Sequence, residues 1–232
     1  MSKTLVILFI KEPKLGFVKT RLAQTCGAGF ALNLYVRFVQ DLIYTLQGAR
    51  HDFKLCVYPE LELVNKVFGD FDNFLQVDGD LGFKMQKAFE EKFASGYDKI
   101  VLIGSDTPHL TNSLLDECFE KLTNHDVTLG PSEDGGYYLV GFNKDTFSPK
   151  IFEDIEWSTD KVLEQTLQKL HANKVYLHQE LNDIDVLDDL KDFYEKFHKG
   201  YFENSESIKF LEENNLWKNL MSSLSAEDQQ VL

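Results

Sequence analysis

Lys11, Lys14, Lys19 and Arg21 crowd into FIKEPKLGFVKTRL (9–22), although the 232-residue chain carries a formal net charge of −14. Cations gathered around a Pro and a Gly directly after an apolar run suit an anion, and a phosphorylated small molecule is the simplest candidate. A solvated basic loop is the plain alternative. The stretch is not a P-loop, because GFVKT has Val18 where that pattern needs Gly, and no GxGxxG dinucleotide fingerprint occurs.

Carboxylates form a second group. In LIGSDTPHL (102–110), Asp106 ends an apolar run, where a side chain points into the crevice of an open α/β sheet or else caps a helix. In LNDIDVLDDL (181–190), Asp183 and Asp185 are two apart and share one side of an extended segment. Meeting Asp106, they could bind Mg²⁺ or Mn²⁺, which favour oxygen ligands; equally, they could be acids dressing a helix N-terminus. In GPSEDGGYYLVG (130–141), Glu133 and Asp134 precede Gly135, Gly136 and Tyr137. That is either a hairpin turn or a close backbone approach to a ligand, with aromatic faces beside carboxylates suiting a sugar. No HxxxH, GxSxG or Cys/His nucleophile pattern appears, which argues against hydrolases of those kinds.

These residues need a frame. Apolar runs at 4–10, 53–59, 73–78 and 99–106 read as strands, the first and last continuous enough to be covered on both faces. Helical spacing fills 31–46, 62–68 and 81–93 between them, so the chain is α/β with layers around a largely parallel sheet. Beyond residue 110 the spacing predicts a helix at 112–122 and strands at 126–130 and 137–142, the latter antiparallel. A helix at 158–170, opened by Ser158 and Thr159, and a last strand at 174–179 follow.

The expected architecture is a three-layer sandwich with a mixed, mostly parallel central sheet over 1–199. A C-terminal helical extension, 200–232, has an apolar stripe suited to capping the domain or to meeting a second copy as a homo-oligomer. Six apolar residues, LVILFI, are too short for a membrane span, and no cleavage site follows, so a cytoplasmic protein is expected. Cys26, Cys56 and Cys118 are odd in number and widely spaced, as reduced packing thiols would be. The acidic balance argues against nucleic-acid and anionic-membrane partners.

Together KEPKLGFVKTRL, DGDLGFKMQKAF, GSDTPHL, GPSEDGGYYLVG and IEWSTDKVL resemble, in order and spacing, a bacterial family of GT-A-like proteins over roughly residues 4–195. That family is classed as candidate glycosyltransferases, some linked with arsenosugar biosynthesis, within the Rossmann-like nucleotide-diphospho-sugar transferase superfamily. By this resemblance Lys11, Gly16, Lys19 and Arg21 look like the diphosphate loop, and Gln76, Gly79 and Leu81 match the base-reading Gln and Gly turn of uridylyltransferases. Asp106 and Asp185 look like ligands of Mg²⁺ or Mn²⁺. The sequence departs from the GGxGxRM start of nucleotidyltransferases, with Pro13 and Lys14 in place of glycines, and Gly104 breaks the Asp-x-Asp of glycosyltransferases.

The implied reaction transfers a sugar from a nucleoside diphosphate sugar to a small acceptor. Asp134 would be general base, Lys19 and Arg21 would stabilise the leaving group, and Gly135, Gly136, Tyr137 and Trp157 would lie by the acceptor or sugar, Trp157 being equally suited to the core. The rival readings are a nucleotidyltransferase joining a nucleoside triphosphate to a phosphorylated small molecule, and a non-catalytic nucleotide-sugar-binding protein.

Overall fold

A computed structural model describes residues 2–228. Strands β1 (Thr4–Lys11), β2 (Asp52–Tyr58), β3 (Asn73–Leu75), β4 (Lys99–Ile103), β5 (Val127–Pro131), β6 (Tyr137–Asn143) and β7 (Val175–Leu177) form one sheet. Its order is β3-β2-β1-β4-β6-β5-β7. β1 pairs parallel to β2 and β4, β2 to β3, and β5 to β7, whereas β6 is antiparallel to both β4 and β5. The sheet is therefore mixed and mostly parallel, as the apolar runs predict.

The continuous apolar run of β1 has a direct cause. Alternate side chains enter opposite cores. Val6, Leu8 and Ile10 pack beneath helix α2 (Ala28–Gln47) and helix α5 (Asn112–Lys121). Leu5, Ile7 and Phe9 pack beneath helix α4 (Leu81–Ala94), together with Ile151 and Phe152 of a short 3₁₀ turn. These are the three layers. Helices α1 (Thr20–Cys26), α3 (Glu62–Phe68) and α6 (Val162–Lys169) complete the crossovers.

Helix α2 has apolar residues on two sides and is buried on both. Val39, Leu42, Ile43 and Leu46 face the sheet. Phe30, Leu34 and Phe38 meet a third core built with α7 (Leu187–Phe197), α8 (Glu206–Glu213) and Trp217 of α9 (Asn215–Asp228). The apolar stripe of 200–232, as far as it is described, thus packs on α2 of its own chain, with Ile208, Leu211 and Trp217 buried. Asp41, on the buried side of α2, accepts hydrogen bonds from the backbone N–H of Glu206 (2.7 Å) and Ser207 (3.0 Å), capping α8 from outside its own segment.

Two boundaries differ from expectation. Helix α6 begins at Val162, not at Ser158. Ser158 instead has φ 65°, and Thr159 donates its hydroxyl to the Glu156 carbonyl, so the two residues make a turn. Helical structure also starts earlier than the spacing at 31–46 shows, with the helix α1 entered through Lys19 at φ 46°.

Candidate functional site

The strand order reverses direction at β1: β2 lies on one side and β4 on the other. Loops leaving the C-terminal ends of β1 and β4 therefore part company and leave a crevice, the place where open α/β sheets bind ligands. The loop after β1 turns tightly, the Phe17 N–H donating to the Lys14 carbonyl at 3.0 Å with Gly16 at φ 75°. Val18, 2% exposed, pins the loop to the core and delivers Lys19 inward.

The four clustered cations then separate. Lys11 and Lys14 are exposed and the Arg21 side chain is 65% exposed, but that of Lys19 is 2% exposed. Its ammonium donates to the Ile184 carbonyl (2.7 Å) and to Asp185 Oδ1 (3.0 Å), and it pairs with Asp106 Oδ1. Arg21 reaches Asp185 Oδ2 at 3.4 Å. Burial works against the Lys19 charge, yet Asp106 and Asp185 outweigh it and hold the group above the ordinary lysine range. Burial likewise opposes ionisation of Asp185, but Lys19, then Arg21 and Lys11, keep it below the usual carboxylate range.

The segments carrying Asp106 and Asp185 are zipped together. The Ile184 N–H donates to the Asp106 carbonyl at 3.0 Å, and the Thr107 hydroxyl donates to Asp183 Oδ1 at 2.8 Å. Asp183 is pushed up to about 7, first by burial and then by the Asp106 charge; Asp134 adds to this, while Thr107 and Lys19 oppose it. Asp189 accepts from the N–H groups of Asp185 and Val186. The acids of LNDIDVLDDL thus divide: Asp189 dresses the start of α7, and Asp183 and Asp185 face the crevice residues.

Asp134 lies in the turn between β5 and β6, at the same sheet edge. Its Oδ1 accepts from Ser132 Oγ (2.6 Å) and the Gly136 N–H (2.9 Å). Gly135 has φ 84°, and a Cβ there would fall 2.1 Å from the Asp160 carbonyl oxygen, so that position admits only glycine without backbone movement. The Tyr137 ring joins the core under α4 and its hydroxyl is buried beside Thr166. The indole of Trp157 lies on Gly82 in the first turn of α4, where a Cβ would come within 2.5 Å of the ring, and it packs beside Phe152. Both aromatic side chains, partly buried, pack against the second core, which the β6 and 150s segments close.

Gln76, just past β3, donates its amide to the carbonyls of Cys56 (3.0 Å) and Ile10 (3.4 Å), which bridges the ends of β2 and β1. Gly79 has φ 142°, and Leu81 is exposed at the start of α4, which Asp80 caps by accepting from the Phe83 N–H at 2.8 Å. Two residues escaped the sequence reading. Tyr35 of α2 accepts from the Lys11 N–H (2.8 Å) and donates to its carbonyl (3.1 Å), fixing the end of β1; in sequence it is one more apolar position of a helix. Lys84 sits over the Tyr58 ring at 3.5 Å and is lowered from the ordinary lysine range by burial and by Lys11, which adds a cation to this rim.

Asp106 and Asp185, the pair assigned to Mg²⁺ or Mn²⁺ by resemblance, are bridged by the Lys19 ammonium. One oxygen of each is taken by the Lys19 ammonium, and among the described residues no group of three His, Cys, Asp or Glu side chains could hold an ion.

Comparison with known proteins places the fold. A candidate nucleotide-diphospho-sugar transferase from Desulfovibrio desulfuricans G20 is 34% identical, with TM-score 0.90 over 94% of this chain and 98% of that one. A cytidylyltransferase from Leptospira borgpetersenii (12% identity, TM-score 0.59, 91% and 93% covered) shares the fold. So does a 4-diphosphocytidyl-2C-methyl-D-erythritol synthase from Anaerococcus prevotii (9%, 0.58, 85% and 97%). No curated protein matches the chain. The model of a family described as "Uncharacterized protein conserved in bacteria (DUF2064)" matches residues 41–159, just over half the sequence. With that span, and with the fold of a relative one-third identical over nearly its whole length, this chain belongs to the DUF2064 family.

Proposed function

We propose that the chain is a transferase that takes a nucleoside diphosphate sugar into the crevice between β1 and β4 and passes the sugar to a small acceptor. One observation carries the reading: Lys19 ties the loop after β1 to the loop after β4 and to the segment after β7, which leaves Lys11 and Arg21 as exposed cations on the rim of the same crevice, Arg21 keeping one long contact to Asp185. The likeness to the Desulfovibrio transferase supports it.

In this reading Lys11 and Arg21 hold the diphosphate over the Gly16 turn, each charge-assisted hydrogen bond contributing about 1.5–3 kcal/mol. Gln76, Gly79 and Leu81 flank the nucleoside. The acceptor oxygen bonds to the anomeric carbon as the bond from that carbon to the diphosphate breaks. The acceptor proton passes to the Asp134 carboxylate, and the electron pair of the broken bond stays on the diphosphate, where the cations stabilise it. Asp134 is oriented for this by its hydrogen bonds to Ser132 and Gly136.

Calorimetric titration with UDP, CDP and GDP and their sugars tests the reading. Arg21→Ala is expected to weaken diphosphate binding about tenfold or more with an unchanged melting temperature, because the side chain is exposed. Unchanged affinity removes the loop from the site. Pyrophosphate release from a nucleoside triphosphate and a sugar phosphate would replace sugar transfer with nucleotidyl transfer.

A further inference from the structure

The Lys19 ammonium has three N–H donors, and the structure gives it three acceptors: the Ile184 carbonyl, Asp185 Oδ1 and Asp106 Oδ1. It has no hydrogen left for a phosphate. It is also sealed from solvent, delivered there by a left-handed backbone that non-glycine residues seldom adopt. A cation buried to this degree, with every donor committed to protein, is a component of the site rather than a ligand-seeking group. Its acceptors lie on two segments far apart in sequence, at the positions where the resemblance called for a divalent ion.

We infer that Lys19 is a positioning residue that stands in for a divalent cation. It cross-links Asp106 and Asp185, neutralises part of their charge, and takes the place between one oxygen of each that a bridging metal would fill. Arg21 adds a second positive charge at Asp185. A diphosphate can then approach the crevice without an ion bridging it to the two carboxylates, and its charge is met by the rim cations. What the crevice binds rests on the proposed function; the cation exchange does not, and it is read without any nucleotide.

The experiment is a Mn²⁺ titration of the full chain followed by electron paramagnetic resonance of free Mn²⁺. The wild type is expected to show no saturable uptake up to about 1 mM. Lys19→Met, similar in length but uncharged, is expected to gain one Mn²⁺ per chain, at least about tenfold tighter than any residual wild-type uptake, and adding Asp106→Asn should remove it. Stoichiometric uptake by the wild type that disappears in Asp106→Asn alone overturns the inference, even if Lys19→Met does not fold. So does a folded Lys19→Met that gains nothing. A parallel titration with UDP present covers a nucleotide-dependent ion: uptake then that Asp106→Asn abolishes also overturns it. Failure of UDP to bind strikes the proposed function and leaves the Mn²⁺ comparison intact.

Discussion

At the scale of single residues, the crevice is a balance of charges held close together under partial burial. Asp183 shows the cost. Its carboxyl, pushed up to about 7 by burial and by Asp106, favours its proton in the folded state. A raised folded value makes a contribution to stability that is full below the ordinary carboxylate range and is lost as pH rises through about 7. Asp183→Asn retains an acceptor for Thr107 and removes the charge. Urea unfolding should show it more stable than wild type at pH 8 by on the order of 2 kcal/mol and nearly equal at pH 4. An equal difference at both pH values would assign the effect to packing. Local sequence made Lys19 look like a phosphate contact, since it sits among other cations; the acceptors it meets, on Asp106, Ile184 and Asp185, are far away in sequence, the last two 165 and 166 residues off, a distance that no local pattern encodes. Asp106 was legible because an acid ending an apolar strand has few places to go, whereas Tyr35 was hidden by being apolar, helical and correctly spaced for a core.

Elements decide how those residues are presented. The strands were readable from apolar runs because both faces of β1 and β4 are covered, and the antiparallel β6 followed from the change in pattern after residue 110. The start of α6 was not readable: Ser158 and Thr159 are good capping types, but they make a turn tied back to Glu156, so type alone misplaced the helix by four residues. Capping across elements is equally invisible. Asp41 lies mid-helix in α2 yet terminates α8, with burial raising its pKa and the Ser207 and Glu206 hydrogen bonds opposing that rise. Asp41→Ala strips two backbone donors of α8 of their acceptor, so it should lower stability by about 1–3 kcal/mol. Limited proteolysis should then cut first between α7 and α8; cleavage elsewhere, or none, would argue that α8 is held by its apolar face alone.

For the molecule as a whole, the question is whether the C-terminal helices belong to the same cooperative unit as the sheet. Their core shares α2 with the sheet core, and Trp217 is 2% exposed within it. Trp217→Ala should cost about 3–5 kcal/mol, and because α2 is common to both cores the loss should appear as one transition by circular dichroism and by calorimetry. Two separated transitions would show the helices melting alone.

The double burial of α2 reaches further than stability. Tyr35, which grips both backbone polar groups of Lys11, stands on the same helix that the last three helices clamp from behind. If the crevice holds a diphosphate as proposed, trimming or loosening that distal bundle would register as poorer affinity for it. Libraries of shortened variants would misattribute the defect to a missing contact, when what has gone is the stiffness of a shared wall.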